Sequence, residues 1–327
     1  MTMTSDNFTL IVQVARKQTE AERICSFELV DPYSRALPPF EAGAHLDVRL
    51  TDDLLRQYSI SNNPADDKRY RLAVLQEEES RGGSDFMHKQ VNEGDLMMIS
   101  APRNHFSLVD DASHSLLFAG GIGITPILSM AKALSARGAS FQLHYAARSA
   151  AKMAFRSEID QSDISAVTQY YLSDGPENQS FRQQLPNLVP PPDTATHVYV
   201  CGPNGFIDAV MSAFEDKGWD SHQLHTEHFA GAEQDTSGDT SFEVELASSG
   251  EVYTIPADRT VFEVLDENGV FIATSCEQGV CGTCLTPVLE GEPDHRDMFM
   301  DEDEHAANDQ FTPCCSRSKS AKLVIDL

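Results

Sequence analysis

Cys276-Glu-Gln-Gly-Val-Cys281-Gly-Thr-Cys284, followed by Cys314 after 29 intervening residues, has the spacing C-x4-C-x2-C…C. That is the plant-type arrangement for a [2Fe–2S] cluster. The chemistry needs four soft thiolates, three of them from one loop that folds around the cluster. Gly279 and Gly282 let the backbone pass close by, where N–H groups can bond the inorganic sulfides. A structural zinc site is the other use of such cysteines, but it favours C-x2-C pairs in two arms. Only Cys281 and Cys284 form such a pair here. Cys314 and Cys315 compete for the fourth position, and the spacing leaves that choice open.

Around this loop the sequence reads as a small mixed domain over 241–327. Phe242–Leu246 and Val252–Ile255 form a hairpin around Ser248-Ser-Gly250, Thr260–Asn268 a short helix, and Lys322–Leu327 a last strand. The segment carries 18 acidic and 5 basic side chains, a net −13 of the chain's −27. Such a polyanion repels phosphate backbones and anionic lipid, so nucleic acid and membrane surfaces are excluded as partners. Acidity alone serves solubility, but its concentration here also suits a docking face.

Upstream, residues 232–240 are small and polar and read as a linker. Between 109 and 231, strands alternate with helices, which indicates a parallel sheet with covering helices. Leu116–Ala119 is a buried strand, Gly120-Gly-Ile-Gly123 a tight turn, and Pro126–Ala136 a helix; Phe141–Tyr145 and His197–Val200 are further strands. The glycine turn hands a strand to a helix, where a dinucleotide can approach the backbone and the helix N-terminus offers N–H donors. It is not the Rossmann GxGxxG, because Pro126 stands where the final glycine would be. Alone it is as often structural, but Cys201-Gly-Pro203 after a second strand pairs with it.

The first 108 residues alternate apolar and polar positions over Thr9–Val14, His45–Leu50, Tyr70–Leu75 and Asp95–Ser100, which predicts an antiparallel barrel or sandwich. Arg56-Gln-Tyr-Ser59 lies on one such strand. Its arginine suits a phosphate, its tyrosine a flat ring, its serine a ring nitrogen; an ordinary half-buried strand is the bland alternative. Arg81-Gly-Gly-Ser84 offers a second phosphate cradle.

These motifs, in this order and over essentially the whole chain, resemble the phthalate dioxygenase reductase family, the FMN-containing members of the ferredoxin–NADP reductase superfamily. The resemblance implies three domains: an FMN-binding antiparallel β-barrel (1–108), an α/β parallel-sheet NAD(P)H domain (109–231), and, after the linker, a β-grasp plant-type [2Fe–2S] ferredoxin (241–327). It implies that Arg56, Arg81 and Ser84, with Gly82 and Gly83, hold the FMN phosphate. Gln57, Tyr58 and Ser59 lie along the isoalloxazine, with Ser59 near its reactive nitrogen, and Ala73, Val74, Leu75 and Thr125 also lie near the ring. Gly120, Gly121 and Gly123 form the nicotinamide-domain turn, and Cys201, Gly202 and Pro203 close its pocket. The family's fourth cluster ligand precedes the segment matched here by Cys315-Ser-Arg317, which makes it Cys314, beside Cys276, Cys281 and Cys284. Asp294-His-Arg-Asp297 is also typical of the ferredoxin end. Thr226 stands where relatives often carry a phenylalanine by the flavin.

The resemblance further implies electron transfer from NADH, through FMN and the cluster, to the Rieske [2Fe–2S] centre of a non-haem iron oxygenase acting on aromatic acids or small amines. Arg148 and Ser149 could receive a 2′-phosphate, but arginine is common here in NADH-using relatives, so NADH is expected over NADPH. A stand-alone flavin or ferric reductase, or another small-acceptor reductase, is the alternative; it has no use for the cluster domain. A zinc-stabilised binding module is a third, and it would be colourless. The remaining expectations are a monomer in the cytoplasm. Met1-Thr-Met-Thr-Ser-Asp-Asn7 lacks a signal peptide's basic and apolar regions, and no apolar run has the ~18 residues a membrane helix needs.

Overall fold

The computed structural model describes residues 10–52, 54–175, 180–231, 234 and 236–327. The N-terminal heptapeptide and linker positions 232, 233 and 235 lie outside the described residues. The chain divides into two compact units, 1–229 and 230–327. Both large N-terminal sheets fall in the first.

Six antiparallel strands form the first sheet: β1 (Leu10–Ala21), β2 (Ile24–Val30), β3 (His45–Thr51), β4 (Leu54–Ser59), β5 (Arg69–Leu75) and β6 (Leu96–Ile99). Their order is β4-β3-β6-β1-β2-β5. The two edge strands meet at one end, where Ile60 bridges Leu72 and the Ser61 N–H donates to the Arg71 carbonyl at 2.8 Å. The sheet is thus barrel-like, joined at that end by a bridge rather than a full ladder. Alternate positions turn inward, so Val12, Val14, Phe27, Leu29, Leu46, Val48 and Leu72 fill its interior. β2 is the strand that the sequence pattern alone does not single out. Helix α1 (Gly83–Lys89) covers one end, and Arg81–Ser84, read from sequence as a loop cradle, is the entry to that helix.

The second sheet is wholly parallel: β7 (His114–Gly120), β8 (Phe141–Ala147), β9 (Thr168–Leu172), β10 (Thr196–Gly202) and β11 (Leu224–His228), in the order β11-β10-β7-β8-β9. Helices α2 (Ile124–Ala136), α3 (Arg156–Asp160), α4 (Phe181–Leu188) and α5 (Asn204–Glu215) connect the strands. Both faces are buried, as parallel sheets require. Leu117 and Ala119 of β7 face the α2 side, while Leu116 and Phe118 face α4 and α5.

In the second unit, β12 (Phe242–Leu246), β13 (Val252–Ile255), β14 (Thr286–Glu290), β16 (Gln310–Phe311) and β18 (Lys322–Ile325) form a mixed sheet, ordered β13-β12-β18-β14-β16; β15 (Pro293–Asp294) pairs with β17 (Arg317–Ser318). Helix α6 (Val261–Glu267) packs Val261, Val264 and Leu265 onto the sheet, the β-grasp arrangement. Its start is written in the sequence: Thr260 and Glu263 make a reciprocal capping box, satisfying two orphan N–H groups. A short helix α7 (Glu302–Ala307) follows the cluster loop. Among the described residues no helix is long and apolar enough to cross a membrane.

Candidate active site and cluster loop

The chain runs outward from β7 to β8 and β9, then returns to place β10 and β11 on the other side of β7. That reversal is a topological switch point, and ligands of open α/β sheets bind outside the carboxyl ends of the strands that flank it. Gly120 and Gly121 stand at the end of β7, and Cys201, Gly202 and Pro203 at the end of β10. The two sequence-predicted motifs therefore meet at the expected crevice. Their glycines have different jobs. A Cβ on Gly123 would lie 2.3 Å from the Cys201 carbonyl oxygen, and one on Gly202 would lie 2.9 Å from Gly120 Cα. These three glycines let the two strand ends and the helix pack together. Gly121 alone in the turn is left-handed (φ +55°) and faces open space.

Beside this crevice, Ser59 at the end of β4 donates from Oγ to Glu227 Oε2 at 3.2 Å. Glu227 lies on β11 in register with Cys201 on β10. A serine from the antiparallel sheet, a carboxyl and a thiol are thereby gathered at the switch point. Burial raises the Glu227 carboxyl to about 8, opposed by the hydrogen bond from Ser59. Burial, then the nearby Glu227, also pushes the fully buried Cys201 thiol well up, so it is no ready nucleophile. Ser59 and Cys201 were expected from sequence; Glu227 was not. Its one local signal is an acidic residue placed within a strand, and only the parallel register puts it beside Cys201.

The rest of the expected flavin set lies along the same sheet. Arg56 Nη2 donates to the Arg81 carbonyl at 2.9 Å, joining the two arginines. A Cβ on Gly83 would lie 2.5 Å from Arg56 Cγ, so glycine there lets the arginine lie across the turn that Gly82 (φ +88°) begins. Ser84 Oγ is engaged within that turn, donating to Ser80 Oγ and accepting from the Glu77 N–H. Gln57 donates to Asp47 Oδ1 at 3.3 Å, and burial pushes the Tyr58 phenol up. On β5, Ala73 and Leu75 face the α2 side while Val74 faces the barrel interior, so the three do not share one face. Thr125 is buried with its hydroxyl bonded to the Ile122 carbonyl. Thr226 is half-buried between His225 and Glu227, and Arg148 is exposed just beyond β8.

In the second unit the cysteine loop gathers its sulfurs. Cys284 and Cys314 Sγ lie 3.3 Å apart. Cys276 Sγ accepts from the Gln278 and Val280 N–H groups at 3.3 and 3.4 Å. Cys276 and burial together push the Cys281 thiol up. Cys315 Sγ lies beside Cys314 and against Gly279, 3.2 Å from the Thr312 hydroxyl. Gly279 and Gly282 are left-handed, and each is also crowded. A Cβ on Gly279 would lie 2.5 Å from Cys315 Sγ, and one on Gly282 would lie 2.3 Å from the Phe299 ring.

These residues fit the groups that the motifs imply. Buried, mutually apposed thiols are poor anions by themselves, and iron supplies the charge that makes them thiolates. The joined Arg56 and Arg81 with the Gly82–Gly83 turn suit a phosphate, and the Ser59–Glu227–Cys201 cluster offers polar atoms to a flat heteroaromatic ring.

Comparison with known proteins agrees with this anatomy. Residues 244–319 match the family of 2Fe-2S iron-sulfur cluster binding domains, and 97–224 match the N-terminal domain of dimethylamine monooxygenase subunit DmmA-like proteins. Vanillate O-demethylase oxidoreductase of Pseudomonas sp. (strain HR199) is 46% identical over 97% of this chain and 99% of its own. Tetrachlorobenzoquinone reductase of Sphingobium chlorophenolicum is 39% identical over 99% of this chain and 100% of its own. A solved structure of phthalate dioxygenase reductase, described as a modular structure for electron transfer from pyridine nucleotides to [2Fe–2S], superposes with a TM-score of 0.76. It is 39% identical over 97% of this chain and 98% of that one. With likeness along its whole length, the chain belongs to the phthalate dioxygenase reductase family of flavin- and nicotinamide-dependent [2Fe–2S] oxidoreductases.

Proposed function

We propose that the protein is the reductase component of a Rieske-type oxygenase system, taking hydride from NADH and delivering single electrons to the oxygenase. The observation that carries this reading is the pairing, on one chain, of the Ser59–Glu227–Cys201 cluster at the sheet switch point with a four-cysteine loop in a separate unit. Flavin supplies the conversion of a hydride pair into single electrons, and the cluster carries them one at a time. The protein's task is binding and placement. Arg56, Arg81 and the Gly82–Ser84 turn hold the phosphate; Tyr58, Ser59 and β5 border the ring; Gly120–Gly123 and Cys201–Pro203 receive the nicotinamide. Cys276, Cys281, Cys284 and Cys314 are the ligands in this reading.

FMN is favoured over FAD because the ferredoxin follows the other domains, and NADH over NADPH by the same resemblance. Residues 1–108, 109–231 and 241–327 are the working domains, and a cytoplasmic monomer is the working state. The test is reconstitution. NADH, the purified protein and a Rieske oxygenase should together reduce the oxygenase cluster, and omission of any one should stop it. Failure to reduce any Rieske oxygenase, with the flavin and cluster both present, would overturn the partner assignment.

The quinone-reducing relative favours a second reading, a reductase of small acceptors. Cys281→Ser separates the two: full activity after loss of the cluster supports direct delivery from the flavin, and its abolition supports delivery through the cluster.

A further inference from the structure

Beyond the cluster loop, the second unit brings together a set of donors that the electron-transfer reading does not use. His295, Asp297 and His305 each offer a ligand atom, and these atoms lie within 4.8 Å of one another. His305 Nε2 is 3.3 Å from Asp297 Oδ1. The two imidazoles stack with centroids 4.5 Å apart. The Asp297 side chain is wholly buried. Its Oδ2 accepts the Phe299 and Met300 N–H groups at 3.2 and 2.8 Å, so the loop fixes the carboxylate in place. Oδ1 remains for His305, with a longer 3.4 Å bond from the Thr312 hydroxyl.

His295 supplies the second, independent observation. Its Nε2 lies 3.2 Å from Asn308 Oδ1, an acceptor, which assigns the proton to that nitrogen. The tautomer so fixed leaves Nδ1 as a bare lone pair, and Nδ1 is buried with no hydrogen-bond partner among the described residues. A histidine whose second ring N–H is held by an oxygen acceptor is the form that ligates metals. The approach is also negatively charged, since Asp301, Glu302, Asp303 and Glu304 immediately precede His305 at the start of α7.

We propose that His295 Nδ1, Asp297 Oδ1 and His305 Nε2 form a binding site for a divalent transition metal of the zinc class, packed against the cysteine loop at Gly279 but made without its thiols. Two imidazoles and one carboxylate select borderline metals over the oxygen-loving magnesium and calcium. A bound cation gives the Nδ1 lone pair its partner and neutralises a buried carboxylate.

The test is calorimetric titration of the tag-free holoprotein with Zn2+ alone, while the cluster's visible absorbance is followed. The wild type should bind one equivalent with micromolar or tighter affinity, with cluster absorbance unchanged. His305→Gln and His295→Gln should each weaken binding at least about ten-fold, whereas His225→Gln, in the stacked pair with His197, should not. The proposal is overturned by wild-type binding no tighter than millimolar, by equal affinity in the His305 and His295 variants, by loss of binding in the His225 variant instead, or by zinc uptake that releases iron.

Discussion

Ser59 and Glu227, 168 positions apart in sequence, share a hydrogen bond of 3.2 Å that ties the end of β4 to the edge strand of the parallel sheet. The bond crosses from one sheet to the other at the crevice where the proposed function brings flavin and nicotinamide together. It joins the residue proposed to face the flavin with the residue beside Cys201. The first unit thereby joins its two sheets at the switch point through polar groups as well as apolar packing.

The raised carboxyl of Glu227 sets a pH dependence. A folded-state value of about 8 means that the native protein holds the proton more tightly than the unfolded chain. Its contribution to stability is present at low pH and is lost as pH rises through about 8. The ionised form should favour the positive ring that nicotinamide becomes on losing hydride, so flavin reduction should accelerate through the same range. Stopped-flow reduction by NADH should show that limb in the wild type. Glu227→Gln should give a flat profile and a rate roughly ten-fold or more lower above pH 8. An unchanged limb in the variant would assign it to another group.

The glycine turn separates packing from binding. Gly123→Ala drives a Cβ against the Cys201 carbonyl, and the forced shift of β10 should cost about 1–3 kcal/mol. Gly121→Ala meets no neighbour but keeps a left-handed backbone, at about 1–2 kcal/mol. Thermal unfolding should therefore rank Gly123→Ala as the weaker protein. Among folded protein, Gly121→Ala should be the variant whose KM for NADH rises. The reverse pattern would place the dinucleotide elsewhere.

Cys314 and Cys315 should differ sharply. Cys314 Sγ lies 3.3 Å from Cys284 Sγ, whereas Cys315, also beside Cys314, is engaged by the Thr312 hydroxyl. Cys314→Ser should lower iron content and change the reduced cluster's paramagnetic resonance spectrum, and Cys315→Ser should leave both near wild type. Equal loss in the two variants would contradict the assignment.

The acidic second unit should steer a basic partner. Residues 241–327 carry a net −13, and such long-range attraction is screened within about 8 Å at physiological salt. Electron transfer to the oxygenase should slow as ionic strength rises, through the association rate. A flat salt dependence would remove charge from the docking account.

Much of the fold was legible in the chain because its signals are local. The capping box at Thr260 and Glu263, the alternation along β1, β3, β5 and β6, and the strand–glycine–helix sequence at Gly120 each report on their own segment. The cysteine spacing needs no more than one loop and one distant thiol. What stayed hidden depends on pairing. Glu227 matters because β11 registers against β10, and no local pattern encodes that register. At Gly83 and Gly123 the local pattern reads as a ligand cradle, and only the fold shows that Arg56 and the Cys201 carbonyl also demand their small size. Val74 was grouped with Ala73 and Leu75, although a strand's alternation turns it to the opposite face.

In the proposed function a single chain passes electrons from NADH through a flavin to a [2Fe–2S] cluster. Its most direct test is an anaerobic NADH titration of purified protein, followed by visible absorbance. Flavin bands should appear together with broader cluster absorption, and both should bleach as NADH is added. Flavin bands without cluster absorption, in protein that carries zinc or no metal at the cysteine loop, would contradict it.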